Sequence, residues 1–108
     1  MANPMTELYS VVSDRKVNPQ KDSYTCYLFD KGLDKILKKV GEEASETIIA
    51  AKNKNNEELT MEICDLLYHL TVLMVNEGVA LEDVEAELEK RSAKIGNLKT
   101  FHVSDHNT

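Results

Sequence analysis

The sequence predicts an all-α helical bundle completed by dimerisation, and three observations predict it. Apolar residues recur at helical period through most of the 108 residues. Only four glycines and two prolines punctuate the chain, with no repeat, linker or low-complexity stretch. One segment, residues 56–76, is apolar on two opposite sides, and a chain this short needs a second copy to cover both. The expectation is a single domain over residues 1–108, with its core at about 6–96 and a flexible tail at 97–108.

The first helix is expected at residues 6–16, with Leu8, Val11 and Val12 inward, stopping before Asn18-Pro19. Ser23 is placed to cap a short helix, Tyr24-Thr25-Cys26-Tyr27-Leu28-Phe29, that ends near Gly32. Tyr24, Tyr27 and Phe29 could stack on a base, but aromatic residues at helical spacing read first as core. Residues 33–53 set Leu33, Ile36, Leu37, Val40, Ala44, Thr47, Ile48 and Ala51 on one stripe. Gly41 interrupts it, weakening the helix by about 1 kcal/mol relative to Ala and allowing a close backbone approach. After the turn around Lys54, Asn56-Glu57-Glu58 starts a helix whose acidic first turn suits the dipole and which ends at Gly78. Its stripes are Ile63, Leu66, Leu67, Leu70, Leu73 and Met74 on one side and Met61, Tyr68, Val72 and Val75 on the other. A last helix at residues 81–94 sets Val84, Leu88 and Ile95 against the bundle.

Charge and cysteine content narrow the class. Nineteen acidic against thirteen basic side chains give a formal charge of -6, which argues against a nucleic-acid binder and its basic stripe. Cys26 and Cys64 sit far apart in helical patterns and read as reduced packing residues rather than a disulfide or zinc site. No apolar run is long enough to span a bilayer, and the first residues lack the basic and apolar parts of a signal peptide, so a cytoplasmic protein without membrane contact is expected.

The chemistry lies on either side of the Lys54 turn. If the flanking helices fold back on one another, Glu46 comes level with Glu62 and Glu43 with Asp65, each pair three residues apart on one helical face. An arbitrary pair of helical glutamates is ordinary wet surface. Four carboxylates mirrored about one turn would instead repel one another unless they held a hard divalent cation, magnesium with waters completing its shell. Glu42 points about 100° away from Glu43, as a solvated residue or an outer partner of the site. Such a site suits hydrolysis of a phosphoanhydride. Lys35, Lys38, Lys39, Arg91 and Lys94 are the candidate phosphate contacts, with a solvated face as the simpler reading of Lys35 and Lys38. His69, one turn beyond Asp65, reads as a packed or outer-sphere histidine, and His102 and His106 belong to no constellation.

Glu42-Glu43, Glu46, Glu62 and Asp65 compose E-E-x-x-E followed by E-x-x-D, which resembles the all-α MazG-type nucleoside triphosphate pyrophosphohydrolases. Ser23 to Phe29, Gly32, the stretch from Ile36 to Ala44, Ala50-Ala51-Lys52 and Asp65-Leu66-Leu67-Tyr68-His69-Leu70 make the chain similar to the phosphoribosyl-ATP pyrophosphohydrolase family within that class. The resemblance implies cleavage of phosphoribosyl-ATP between its α and β phosphorus atoms, giving phosphoribosyl-AMP and pyrophosphate in the second step of histidine biosynthesis, with magnesium required. It implies Glu43, Glu46, Glu62 and Asp65 as metal ligands, with Glu42 supporting them or orienting water, and a form separate from the cyclohydrolase that takes the product. The rival enzyme reading is a housekeeping pyrophosphohydrolase acting on noncanonical nucleoside triphosphates. A di-iron carboxylate protein would want two E-x-x-H pairs, which this chain lacks. A noncatalytic helical dimer would leave the acidic face incidental.

Overall fold

The computed structural model describes residues 3–94 and contains five helices there: α1 Pro4–Val17, α2 Tyr24–Lys31, α3 Leu33–Lys52, α4 Asn56–Glu77 and α5 Leu81–Ser92. The tail, with Ile95, His102 and His106, lies outside the described residues. Local chemistry sets most of the boundaries. The Asn3 side chain accepts from the Met5 N–H with Pro4 in the first turn, Ser23 accepts from Cys26, and Asn55 accepts from Glu58. At the end of α4, Gly78 adopts φ 75° while the N–H groups of Gly78 and Val79 return to the carbonyls of Val75 and Met74. The same closure ends α3, where Lys54 and Asn55 donate to Ala51 and Ala50, but the left-handed position is held by Lys54 at φ 60°.

That tight turn folds α4 back along α3, the most extensive pairing in the molecule, and α1 and α2 pack across the pair. The core takes one residue from each of four helices: Val12, Leu28, Ile36 and Val72, each essentially inaccessible, with Leu8, Phe29, Tyr68, Leu73 and Val75 packed around them. The two-sided reading of α4 holds in large part. Tyr68, Val72 and Val75 face the core, although Met61 on that stripe is exposed. The opposite stripe lines an open apolar groove of about 450 Å³, where Leu67, Leu70, Leu73 and Met74 meet Met5 from α1 and Leu81, Val84 and Leu88 from α5.

Several expectations are corrected. Val11 is half-exposed rather than inward. The interior line of α3 runs through Ile36, Glu43 and Ala50, whereas Leu33, Leu37 and Ile48 of the expected stripe are exposed. Both flanks of α3 are apolar, and the seam with α4 takes the one that carries Glu43. A Cβ on Gly41 would meet nothing within 4 Å, so among the described residues no close approach requires it. Helix α5 leaves α4 at a bend of 118° and buries only Leu81, with Leu88 58% exposed, so it does not close the bundle. Cys26 and Cys64 are both free, but Cys64 is exposed rather than a packed core residue. Among the described residues no single helix is long and apolar enough to cross a membrane.

Candidate active site

The α3–α4 seam gathers acidic groups from both helices. Glu43 and Glu62 are buried, 7% and 8% exposed, while Glu46 and Asp65 are exposed. One carboxylate oxygen from each of Glu43, Glu62 and Asp65 lies within 4.8 Å of the others, so this cluster could coordinate a divalent metal ion. Glu46 stands outside the trio. It lines a cavity of about 270 Å³ at the hairpin end together with Glu62, Glu58, Asn53 and Asn55.

Glu62 is the centre of strain. Its Oε1 is buried and has no hydrogen-bond partner among the described residues. Burial pushes its carboxyl up to about 7, helped by the nearby carboxylates of Glu58, Glu46 and Glu43. Glu58 was not among the residues singled out from the sequence. The available signal was its position one turn before Glu62, hence on the same face.

Lys39 borders the trio, its ammonium 3.1 Å from Glu42 Oε1 and 3.7 Å from Glu43 Oε2. The hydrogen bond with Glu42 raises the Lys39 pKa and lowers that of Glu42, so both stay charged at neutral pH. Glu42 thus faces away from the trio but is tied to it through Lys39. Lys38 lines open surface with Glu42 and Glu46, and Lys35 lies beside the Tyr27 ring. Arg91 pairs with Glu87 of its own helix at 3.0 Å, and Lys94 is exposed at the end of α5; neither is brought to the acidic trio.

His69 packs behind the acidic cluster, 5% exposed, as expected of an outer-sphere residue. Its Nδ1 is 2.8 Å from the Asp65 carbonyl, which only accepts, so Nδ1 carries the proton and donates. Nε2 is then the acceptor for the Tyr24 hydroxyl at 3.0 Å. Tyr68 makes a second polar contact to α2 by hydrogen bonding to the Thr25 hydroxyl. The aromatics of α2 depart from the core reading: Tyr24 and Tyr27 are 45% and 41% exposed, and only Phe29 packs into the core, with the Lys16 ammonium 4.9 Å from its ring centre.

The donors fit a hard divalent cation. All are carboxylate oxygens, and one buried oxygen lacks any partner in the protein. An all-α bundle with E-E-x-x-E and E-x-x-D segments facing across one hairpin defines the class of MazG-type pyrophosphohydrolases. The profile of the family described as phosphoribosyl-ATP pyrophosphohydrolase matches residues 5–92, and the chain belongs to that family. Phosphoribosyl-ATP pyrophosphatase of Clostridium novyi is 59% identical over 93 residues, covering 86% of this chain and 84% of that one. The same-named protein of Clostridium botulinum strain Hall is 60% identical over 97 residues, 90% of this chain and 88% of that one. That of Lactiplantibacillus plantarum is 56% identical over 95 residues, 88% and 90% of the two chains.

Proposed function

We infer that this chain hydrolyses phosphoribosyl-ATP to phosphoribosyl-AMP and pyrophosphate, in the second step of histidine biosynthesis, using magnesium held by Glu43, Glu62 and Asp65. Family membership and relatives at 54% to 60% identity support the reaction. The single observation that carries the site is the buried, unpartnered Glu62 Oε1 among carboxylates within 4.8 Å. Glu46, one turn from Glu43 and facing Glu62 across the hairpin cavity, is the fourth ligand in this proposal. Bound magnesium would offset charge on the polyphosphate and lower the pKa of water.

The residues of the chain do the rest. Water must deliver hydroxide to one phosphorus of the α–β anhydride while the oxygen that leaves stays with the other fragment. The cluster supplies carboxylates that can take the proton, and Glu42, kept ionised by Lys39, lies at its margin, where it can orient that water. Lys39 and Lys38 lie nearest the site on α3 and serve as contacts to the polyphosphate, and Lys35, one turn further out, serves as a phosphate contact away from the anhydride. Arg91 and Lys94 join them only where a second copy brings α5 over the site. His69 holds Tyr24 and acts on the cluster only through packing.

A homodimer belongs to the same proposal. The groove between α4 and α5 is almost wholly apolar, and Leu67 and Leu88 of its lining stand exposed, a surface that a second copy would cover. The family match over residues 5–92 supports one domain, and two free cysteines accord with a reducing, cytoplasmic setting.

The deciding experiment measures pyrophosphate release from phosphoribosyl-ATP, dUTP and inosine triphosphate, with and without magnesium, by the natural chain and by E43Q and D65N. Magnesium-dependent release from phosphoribosyl-ATP alone, lost in both variants, is expected. Comparable turnover of all three substrates would favour the housekeeping reading, and unchanged activity in both variants would remove the acidic cluster from the mechanism.

A further inference from the structure

Beside the acidic cluster lies an exposed aromatic surface whose Tyr27 and Lys31 have no part in the scheme above and whose Lys35 enters it only as an outlying phosphate contact. The rings of Tyr24 and Tyr27 lie 6.0 Å apart and 23° from parallel, both open to solvent. Tyr24 is clamped on its inner side. Its hydroxyl donates to His69 Nε2, its ring lies 6.1 Å from that of Tyr68, and His69 is anchored to the backbone of Asp65. The outer side is basic, with Lys31 Nζ 5.8 Å and Lys35 Nζ 5.9 Å from the centre of the Tyr27 ring. Among the described residues neither ammonium is within ion-pair distance of a carboxylate. A ring contact at an exposed site engages such a charge weakly and leaves it available to an anion.

The surface thus presents three chemistries in order: carboxylates, two aromatic faces, and two unpaired ammonium groups. Phosphoribosyl-ATP has matching parts in that order. Its triphosphate leads to a purine, and the purine bears a second ribose with a phosphate of its own, which an ordinary nucleoside triphosphate lacks. We propose that Tyr24 and Tyr27 stack the purine and that Lys31 and Lys35 bind the phosphate of the second ribose, making this surface the element that selects phosphoribosyl-ATP over ordinary nucleoside triphosphates. The inference rests on the substrate reading above and adds the residues that would enforce it. Fixing Tyr24 through His69 sets the platform's position relative to the acidic cluster, so little ordering is left to occur on binding.

The test compares two ligands that differ by the second ribose together with its phosphate, and the K31Q/K35Q variant isolates the part of that difference owed to the phosphate. Calorimetry with AMP and phosphoribosyl-AMP, on the magnesium-loaded natural chain and on K31Q/K35Q and Y27L, separates the two halves of the surface. K31Q/K35Q is expected to weaken phosphoribosyl-AMP by about tenfold and AMP by less than about twofold, because only one ligand carries the distal phosphate. Y27L is expected to weaken both, by the loss of stacking. In turnover, K31Q/K35Q raises KM for phosphoribosyl-ATP by about tenfold and moves kcat by less than about threefold. Equal weakening of both ligands in K31Q/K35Q, or no change in either, overturns the assignment. A natural chain that releases no pyrophosphate from phosphoribosyl-ATP refutes the substrate reading instead, whereas an active natural chain with an unaltered KM in K31Q/K35Q refutes only this subsite. Both lysines are on solvent-accessible helix surface, so the double variant is expected to fold as the natural chain does.

Discussion

Replacing Glu62 by Gln tests the acidic cluster through stability rather than turnover. In the folded chain the carboxyl titrates at about 7 against an ordinary 4.5, chiefly through burial, with Glu58, Glu46 and Glu43 adding to the shift. Between those two pH values the folded state therefore binds more protons at this position than the unfolded state. A raised acid pKa contributes stability that is present in full below 4.5 and lost as pH rises through about 7. Glu42 and Glu87, whose pKa values are lowered, act in the opposite sense and lose their contribution as pH falls below 4.5. The magnitude to look for is the pH dependence of about one proton per chain across that window. Urea unfolding in chelator from pH 4.5 to 8 is the assay. The natural chain should lose stability relative to E62Q as pH rises, and the difference should level off above about 7. Without metal, E62Q should be the more stable protein at pH 8. Added magnesium should narrow that gap by about 1.4 kcal/mol for each factor of ten by which the natural chain binds it more tightly than E62Q does. Parallel pH profiles for the two proteins, or an E62Q variant that is the less stable at pH 8 in chelator, would refute the claim that this carboxylate is buried without compensation.

Three further outcomes follow from the packing. Leu28→Ala removes a side chain with no exposed surface and should cost about 2–4 kcal/mol in urea unfolding, with an unchanged denaturant slope. Lys54→Gly relieves a left-handed residue at φ 60° and should raise stability by about 0.5–1 kcal/mol after the extra freedom of the unfolded glycine is subtracted. Leu67→Glu places a charge in the lining of the apolar groove and should shift the chain toward monomer in sedimentation measurements, while helical content stays as in the natural chain.

Much of the site was legible because helical spacing is stiff. Three residues separate Glu43 from Glu46 and Glu62 from Asp65, and a tight turn between two long helices leaves few ways to align them. Helix ends were legible for a similar reason: Ser23, Gly32 and Gly78 act on their nearest neighbours alone, although the cap of α4 is Asn55, one residue before the expected start at Asn56. What escaped was the rotation of each helix about its own axis. Residues on both flanks of α3 are apolar, so periodicity could not say that Ile36 and Ala50 would face inward while Leu37 and Ile48 stayed outside. The same ambiguity hid the exposure of Tyr24 and Tyr27 and the contact of Glu58 with Glu62.

By itself, then, the chain's residue pattern determined the all-α class, the helix boundaries and the pairing of acidic segments across the Lys54 turn, because each depends on contacts within a few residues. Only the tertiary structure decided that Glu43 and Glu62 are buried while Glu46 and Asp65 are open, and that α5 leaves an apolar groove uncovered. Burial depends on which helix faces meet, and that choice is made by the packing of all the helices together.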